Sequence, residues 1–106
     1  MLESARFTLC ESSLRAQTRD VYGRQLSAGS WMFRIAHGDR AGMRVNIKRF
    51  DPSSARWTGV PIVDQATTAE ATTGKFDLAY RQELKFIFES SDGNAEIDYR
   101  CELHRS

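Results

Sequence analysis

The sequence predicts an antiparallel β-sandwich of seven or eight strands, jelly-roll-like or immunoglobulin-like, with residues 1–106 as a single domain. Three observations predict it. Apolar residues recur at every second position over much of the chain, which is the period of half-buried strands and not the period of helices. Residues suited to turns interrupt these runs about every ten positions. With 106 residues, 41% of them apolar and 10% aromatic, the chain supplies one core of ordinary size and not two.

The first strand is expected over residues 5–10, with Phe7 and Leu9 inward. Residues 11–18 read as a short helical turn. Ser12 and Ser13 are possible caps, and the apolar content is too low to anchor a long helix. A weak strand follows at 20–26. Residues 30–37 set Trp31, Phe33 and Ile35 on one face against Met32, Arg34 and Ala36. Residues 42–50 set Met43, Val45 and Ile47 against Arg44, Asn46 and Lys48. The intervening 37–42 carry glycines and Asp39, suited to a tight turn, so the two strands are expected to pair as a hairpin.

Residues 51–73 contain both prolines and many Thr, Ala and Ser, and read as a long connection with one short strand around 60–63. A connection of this length is often a binding loop or conceals a strand. Strands resume at 75–80, with Phe76, Leu78 and Tyr80 alternating, and at 82–89, with Leu84, Phe86 and Phe88. Residues 95–103 place Ile97, Tyr99, Cys101 and Leu103 opposite Glu96, Asp98, Arg100 and Glu102. Between the last two strands, Asp92-Gly93 is a strong hairpin signal, because both residues tolerate positive φ. The predicted core is Phe7, Leu9, Trp31, Phe33, Ile35, Val45, Ile47, Phe76, Leu78, Leu84, Phe86, Phe88, Ile97, Tyr99 and Leu103.

Cys10 and Cys101 lie near opposite ends of the chain. A disulfide would close nearly the whole chain and contribute about 4 kcal/mol in the chain-entropy model. Strand parity points Cys10 outward and Cys101 inward, which argues against a bond unless a bulge intervenes. Two reduced, inert cysteines are the simpler expectation.

Charge and composition exclude several classes. Fifteen basic and fourteen acidic residues leave a net charge of +1, so no nucleic-acid partner is expected. No stretch approaches the roughly 20 apolar residues of a membrane span. Residues 1–6 lack the apolar run of a signal peptide. The expected location is cytoplasmic if Met1 is the native start, and secreted or surface-exposed if a leader was removed.

The residue types of an enzyme site are missing as a pattern, and no catalytic residues, metal or cofactor are expected. There is no G-x-S-x-G around any serine. His37 and His104 are the only histidines, and in Cys101-x-x-His104 strand parity puts the pair on opposite faces. Asp92-Gly93-Asn94-Ala95-Glu96 resembles the start of a calcium loop, but its twelfth position is Leu103, where a carboxylate is needed. No acidic pair stands out for glycoside hydrolysis. Arg34, Arg44, Asn46 and Lys48 form a basic face on the expected first hairpin. Trp31, Phe33 and Phe50 would stack on a ligand only if exposed, and the first two belong to the apolar stripe. Trp57 lies outside clear alternation in a loop bracketed by Pro52 and Pro61, and is the best contact candidate, with Arg56 and Asp51 beside it.

Residues 26–35, Leu-Ser-Ala-Gly-Ser-Trp-Met-Phe-Arg-Ile, resemble the L-x-A-G-x-aromatic strand opening of bacterial pre-peptidase C-terminal-type domains. Residues 45–52 resemble that family's strand ending in an Asp-containing turn, and 76–103 its closing pair of strands. The chain departs from the family where an acidic strand is replaced by one bearing Arg44 and Lys48. The resemblance implies a β-sandwich accessory module and no activity.

The function expected is a non-catalytic binding or assembly module that presents loops or a sheet face to a protein or glycan, with a homo-oligomer or a subunit of a larger structure among the forms it could take. The alternative is a small-ligand or lipid carrier built on a β-barrel, which would need interior volume.

Overall fold

The structure, a computed structural model, describes residues 5–15, 18–37, 43–67, 70–90 and 96–105. They form two antiparallel sheets packed face to face from nine strands: β1 (Ala5–Leu14), β2 (Arg19–Leu26), β3 (Gly29–His37), β4 (Met43–Asp51), β5 (Arg56–Trp57), β6 (Val63–Ala66), β7 (Glu70–Leu78), β8 (Gln82–Ser90) and β9 (Ile97–Arg105). The four-stranded sheet runs β1-β9-β3-β7. The five-stranded sheet runs β2-β8-β4-β5, and β6 pairs with β4 as well. The chain is the β-sandwich its alternation predicts, with nine strands in place of seven or eight. No described helix is long and apolar enough to cross a membrane.

Neither expected hairpin forms. β3 pairs with β7 and β9, whereas β4 pairs with β5, β6 and β8. β8 pairs with β2 and β4, whereas β9 pairs with β1 and β3. Both connections therefore arch from one sheet to the other, and their turn residues, 38–42 and 91–95, lie outside the described residues, as does the calcium-like Asp92-Gly93-Asn94. The physical reason is that alternation states which face of a strand is apolar. Two such faces bury equally well side by side in one sheet or opposed across a sandwich.

The core holds thirteen of the fifteen predicted side chains, with Phe7 and Leu9 only partly buried against it. Phe33, Phe86 and Phe88 are fully buried and, with Leu84, Ile47 and Ile35, occupy the space between the sheets. That filling argues against the interior volume of a carrier. Leu14, Leu26 and Met43 join the core in addition. Leu14 does so because residues 11–14 continue β1 as strand, pairing with Arg100 down to Ile97, and do not form a helical turn. The Thr- and Ala-rich residues 70–74 are likewise the first half of β7. Tyr80 lies past the end of that strand and is exposed.

A bulge corrects the parity of Cys10. The β1–β9 register shifts between Thr8 and Cys10, so Cys10 turns inward and sits directly opposite Cys101. Both are free thiols and both are buried. Loss of water pushes the Cys10 thiol up to about 11, and raises Cys101 above the ordinary range as well. The nearby Tyr99 hydroxyl donates to Asp20 at 2.6 Å and lies 3.4 Å from the Tyr22 hydroxyl, which satisfies this part-buried polar group.

Candidate functional site

Strand alternation gives the five-stranded sheet an outer face that turns away from the core. On β4, Met43, Val45 and Ile47 are buried, so Arg44, Asn46, Lys48 and Phe50 face outward. On β8, Leu84, Phe86 and Phe88 face inward, and Glu83, Lys85, Ile87 and Glu89 face outward. β5 extends this face at the edge of the sheet, where Trp57 is opposite Phe50.

The two rings meet edge to face, with centroids 5.3 Å apart and planes inclined by 64°. The Lys85 ammonium sits over the Trp57 ring, 5.5 Å from its centroid. Trp57 and Phe50 are both half-buried and neither belongs to the core cluster. The sheet face thus carries a partly exposed aromatic pair bordered by cationic and amide side chains.

The loop before Trp57 is built to hold it. The Asp51 carboxylate accepts hydrogen bonds from the Ser53 backbone N–H at 3.0 Å, the Ser53 hydroxyl at 2.7 Å and the Ser54 hydroxyl at 2.9 Å. These bonds, the Ser53 hydroxyl foremost, hold the carboxyl below the usual carboxylate range. Ala55 takes a positive φ of 55° to complete the reversal. Beyond Trp57, the Thr58 N–H donates to the Arg49 carbonyl at 2.9 Å, and the Ile62 N–H to the Ile47 carbonyl at 2.8 Å. A loop tied at both ends fixes the ring and lowers the ordering cost of any contact it makes.

The structure therefore separates the three residues singled out from the sequence. Trp57 is on the outer sheet face. Asp51 shapes the turn with its own carboxylate. Arg56, exposed, is opposite Asp51 in the register, one position out of phase with Trp57. The expected basic face also divides: Arg34 lies on the four-stranded sheet, and Arg44, Asn46 and Lys48 lie on the other. Sequence reasoning left Lys85 out. Its signal was the outward phase of 82–89.

A broad depression lies elsewhere. It measures about 730 Å³, opens widely on the four-stranded sheet and is lined by Glu11, Ser13, Ala36, Asp98 and Arg100, together with Ser12, His37 and Tyr99. Two of its charged groups are already engaged, since Ser13 donates to Asp98 and Arg100 pairs with Glu102 at 3.2 Å. The two rings that line it, His37 and Tyr99, are both buried, so they offer little exposed aromatic surface. Among the described residues, no group of three His, Cys, Asp or Glu is placed to hold a metal ion.

No family model matches the chain, and no curated protein sequence does. Solved structures do match. The Yersinia pseudotuberculosis-derived mitogen superposes with a TM-score of 0.63 at 7% identity, over 99% of this chain and 86% of its own. The CBM36-1 domain of a multidomain xylanase from the hindgut metagenome of Trinervitermes trinervoides gives 0.59 at 8% identity, over 98% of both chains. CBM29-2, a family 29 carbohydrate-binding module, gives 0.52 at 8% identity, over 98% of this chain and 86% of its own. At such identities the likeness concerns the β-sandwich fold alone.

Proposed function

We propose that the protein is a non-catalytic glycan-binding module that uses the outer face of the five-stranded sheet, with Trp57 as the stacking surface. The observation that carries this reading is the Phe50–Trp57 pair, held half-exposed on a flat sheet face outside the core. A pyranose ring presents an apolar C–H face and a rim of hydroxyls. An aromatic plane matches the first, and Asn46, Lys48 and Lys85 supply donors for the second. Likeness of fold to two carbohydrate-binding modules supports the same reading. In this reading Asp51 acts by shaping the loop, and Arg56 flanks the site.

The test is affinity electrophoresis of the purified protein through gels containing soluble polysaccharides. Retardation by at least one polysaccharide is expected, and Trp57→Ala should abolish it while the far-UV circular dichroism stays unchanged. A protein retarded by no member of a panel spanning neutral and acidic polymers sinks the proposal.

A further inference from the structure

Lys48 on β4 and Lys85 on β8 are direct cross-strand partners on the outer face of the five-stranded sheet. Both are half-buried. Like charges placed directly opposite destabilise a sheet. The other cations of β2 and β4 on this face are answered by acids: Arg44 pairs with Asp64, and Arg19 reaches Glu89 at 4.0 Å. Lys48 and Lys85 form no ion pair with any described residue.

Of the acids around the two lysines, Asp64 is committed to other partners and Glu83 lies beside Lys85 without forming an ion pair with it. Asp64 is held by Arg44 and by the Asn46 amide at 3.5 Å. Glu83, two residues before Lys85, directs its carboxylate over β2, where Oε1 lies 3.7 Å from the position a Cβ on Gly23 would take. Gly23 is itself the β2 partner of Lys85. In the row Gly23, Lys85, Lys48 the Glu83 carboxylate therefore lies over the glycine end, the two lysines stand side by side without an ion pair to any described residue, and Lys85 also caps the Trp57 ring.

We propose that the glycan held here is acidic, a uronic-acid polysaccharide whose carboxylate is received between Lys48 and Lys85 while its sugar ring lies against Trp57. This rests on the glycan reading above and names its substrate class. A carboxylate meeting two ammonium groups relieves their repulsion and forms charge-assisted hydrogen bonds. Sparse charge fits the face better than dense sulfation, because Asp64, Glu83 and Glu89 share it and the whole chain carries only +1.

The probes are polygalacturonate, its methyl ester, heparin and neutral xylan, compared by affinity electrophoresis at low and moderate salt. Polygalacturonate should bind best, its methyl ester and xylan at least about tenfold more weakly, and added salt should weaken binding. Lys48→Gln and Lys85→Gln should each cost about tenfold for polygalacturonate and weaken xylan binding far less. Both variants should fold, and Lys48→Gln should unfold at slightly higher temperature than the parent in low salt, since it removes a repulsion. Equal binding of the methyl ester and the acid, or lysine variants that bind the acid normally, overturns the acidic assignment and leaves the glycan reading standing. Preference for heparin over polygalacturonate overturns it too. Absence of binding to all four probes sinks both.

Discussion

Gly74→Ala should destabilise the protein, against the usual trend for glycine in a strand. Replacing a strand glycine by alanine ordinarily gains about 0.5–1 kcal/mol through backbone entropy and packing. Here Gly74 is the cross-strand partner of Phe33, whose ring lies across it. A Cβ built on Gly74 would meet Phe33 Cζ at 2.3 Å and Cε1 at 2.5 Å, more than an ångström inside ordinary carbon contact of about 3.5–4 Å. Gln65 Oε1, at 3.0 Å, closes a further direction. Phe33 is 1% exposed and fixed by the core, so it yields only by leaving its rotamer or displacing its neighbours. Overpacking of this kind costs about 1–3 kcal/mol. Net of the entropic gain, the loss is about 1–2 kcal/mol, or roughly 4–12 °C in Tm for a domain of this size. Urea unfolding followed by tryptophan fluorescence measures it. Phe33→Leu provides the double-mutant cycle, because a shorter side chain leaves room for the methyl group, and a coupling of at least about 0.5 kcal/mol is expected. A Gly74→Ala variant as stable as the parent, or additive with Phe33→Leu, would show that the ring does not press on this glycine.

Three further outcomes follow from the same geometry. Phe86→Ala, deep between the sheets, should cost about 3–5 kcal/mol, whereas Trp57→Ala, which loses chiefly its contact with Phe50, should cost about 1 kcal/mol; equal losses in urea unfolding would make Trp57 a core residue. Stability should fall as pH rises from about 9 toward 11, because the unfolded chain releases the Cys10 proton near 9.0 while burial keeps it bound to about 11, and Cys101 and Tyr99 shift in the same direction; the slope approaches about 1.4 kcal/mol per pH unit for each group, and a Cys10→Ala/Cys101→Ala variant with an unchanged alkaline slope would contradict it. Asp51→Ala should weaken polysaccharide binding by freeing the Trp57 loop while leaving the unfolding midpoint nearly in place, as read by affinity electrophoresis beside circular dichroism.

Alternation made the faces legible and left the partners hidden. Trp31, Phe33 and Ile35 are buried as their spacing requires, and so are Leu84, Phe86 and Phe88. Yet β3 and β4, adjacent in sequence with matching stripes, belong to different sheets. A turn of five or six residues serves a hairpin or an arch, and only the remaining strands decide between them: β7 and β9 take both edges of β3, and β8 on one side with β5 and β6 on the other take those of β4. The bulge after Thr8 was hidden for another reason. One extra residue reverses parity for all that follow, so Cys10 and Leu14 turn inward with no local sequence mark. Residues 70–74 escaped because Thr, Ala and Gly give a weak apolar stripe, and β7 is held there by its ladder to β3.

The candidate site was half legible for the same reason. Trp57 stood out because an aromatic in a Pro-bracketed loop fits no stripe. Phe50 sits in the outward phase of its own strand, which alternation alone reveals. The meeting of Lys48 with Lys85 is different, since it depends on a pairing between strands 37 positions apart in sequence. That pairing is enforced from the other side of the sheet. Val45 faces Phe88 and Ile47 faces Phe86 in the same ladder, and all four are buried. A slip of one residue would drive Lys48 against a core position and turn the apolar set toward water, at a cost far above the repulsion between two ammonium groups. The core thus holds two like charges together on the outer face. The fold cannot relieve that repulsion by shifting register, and in the proposed reading an acidic ligand would relieve it.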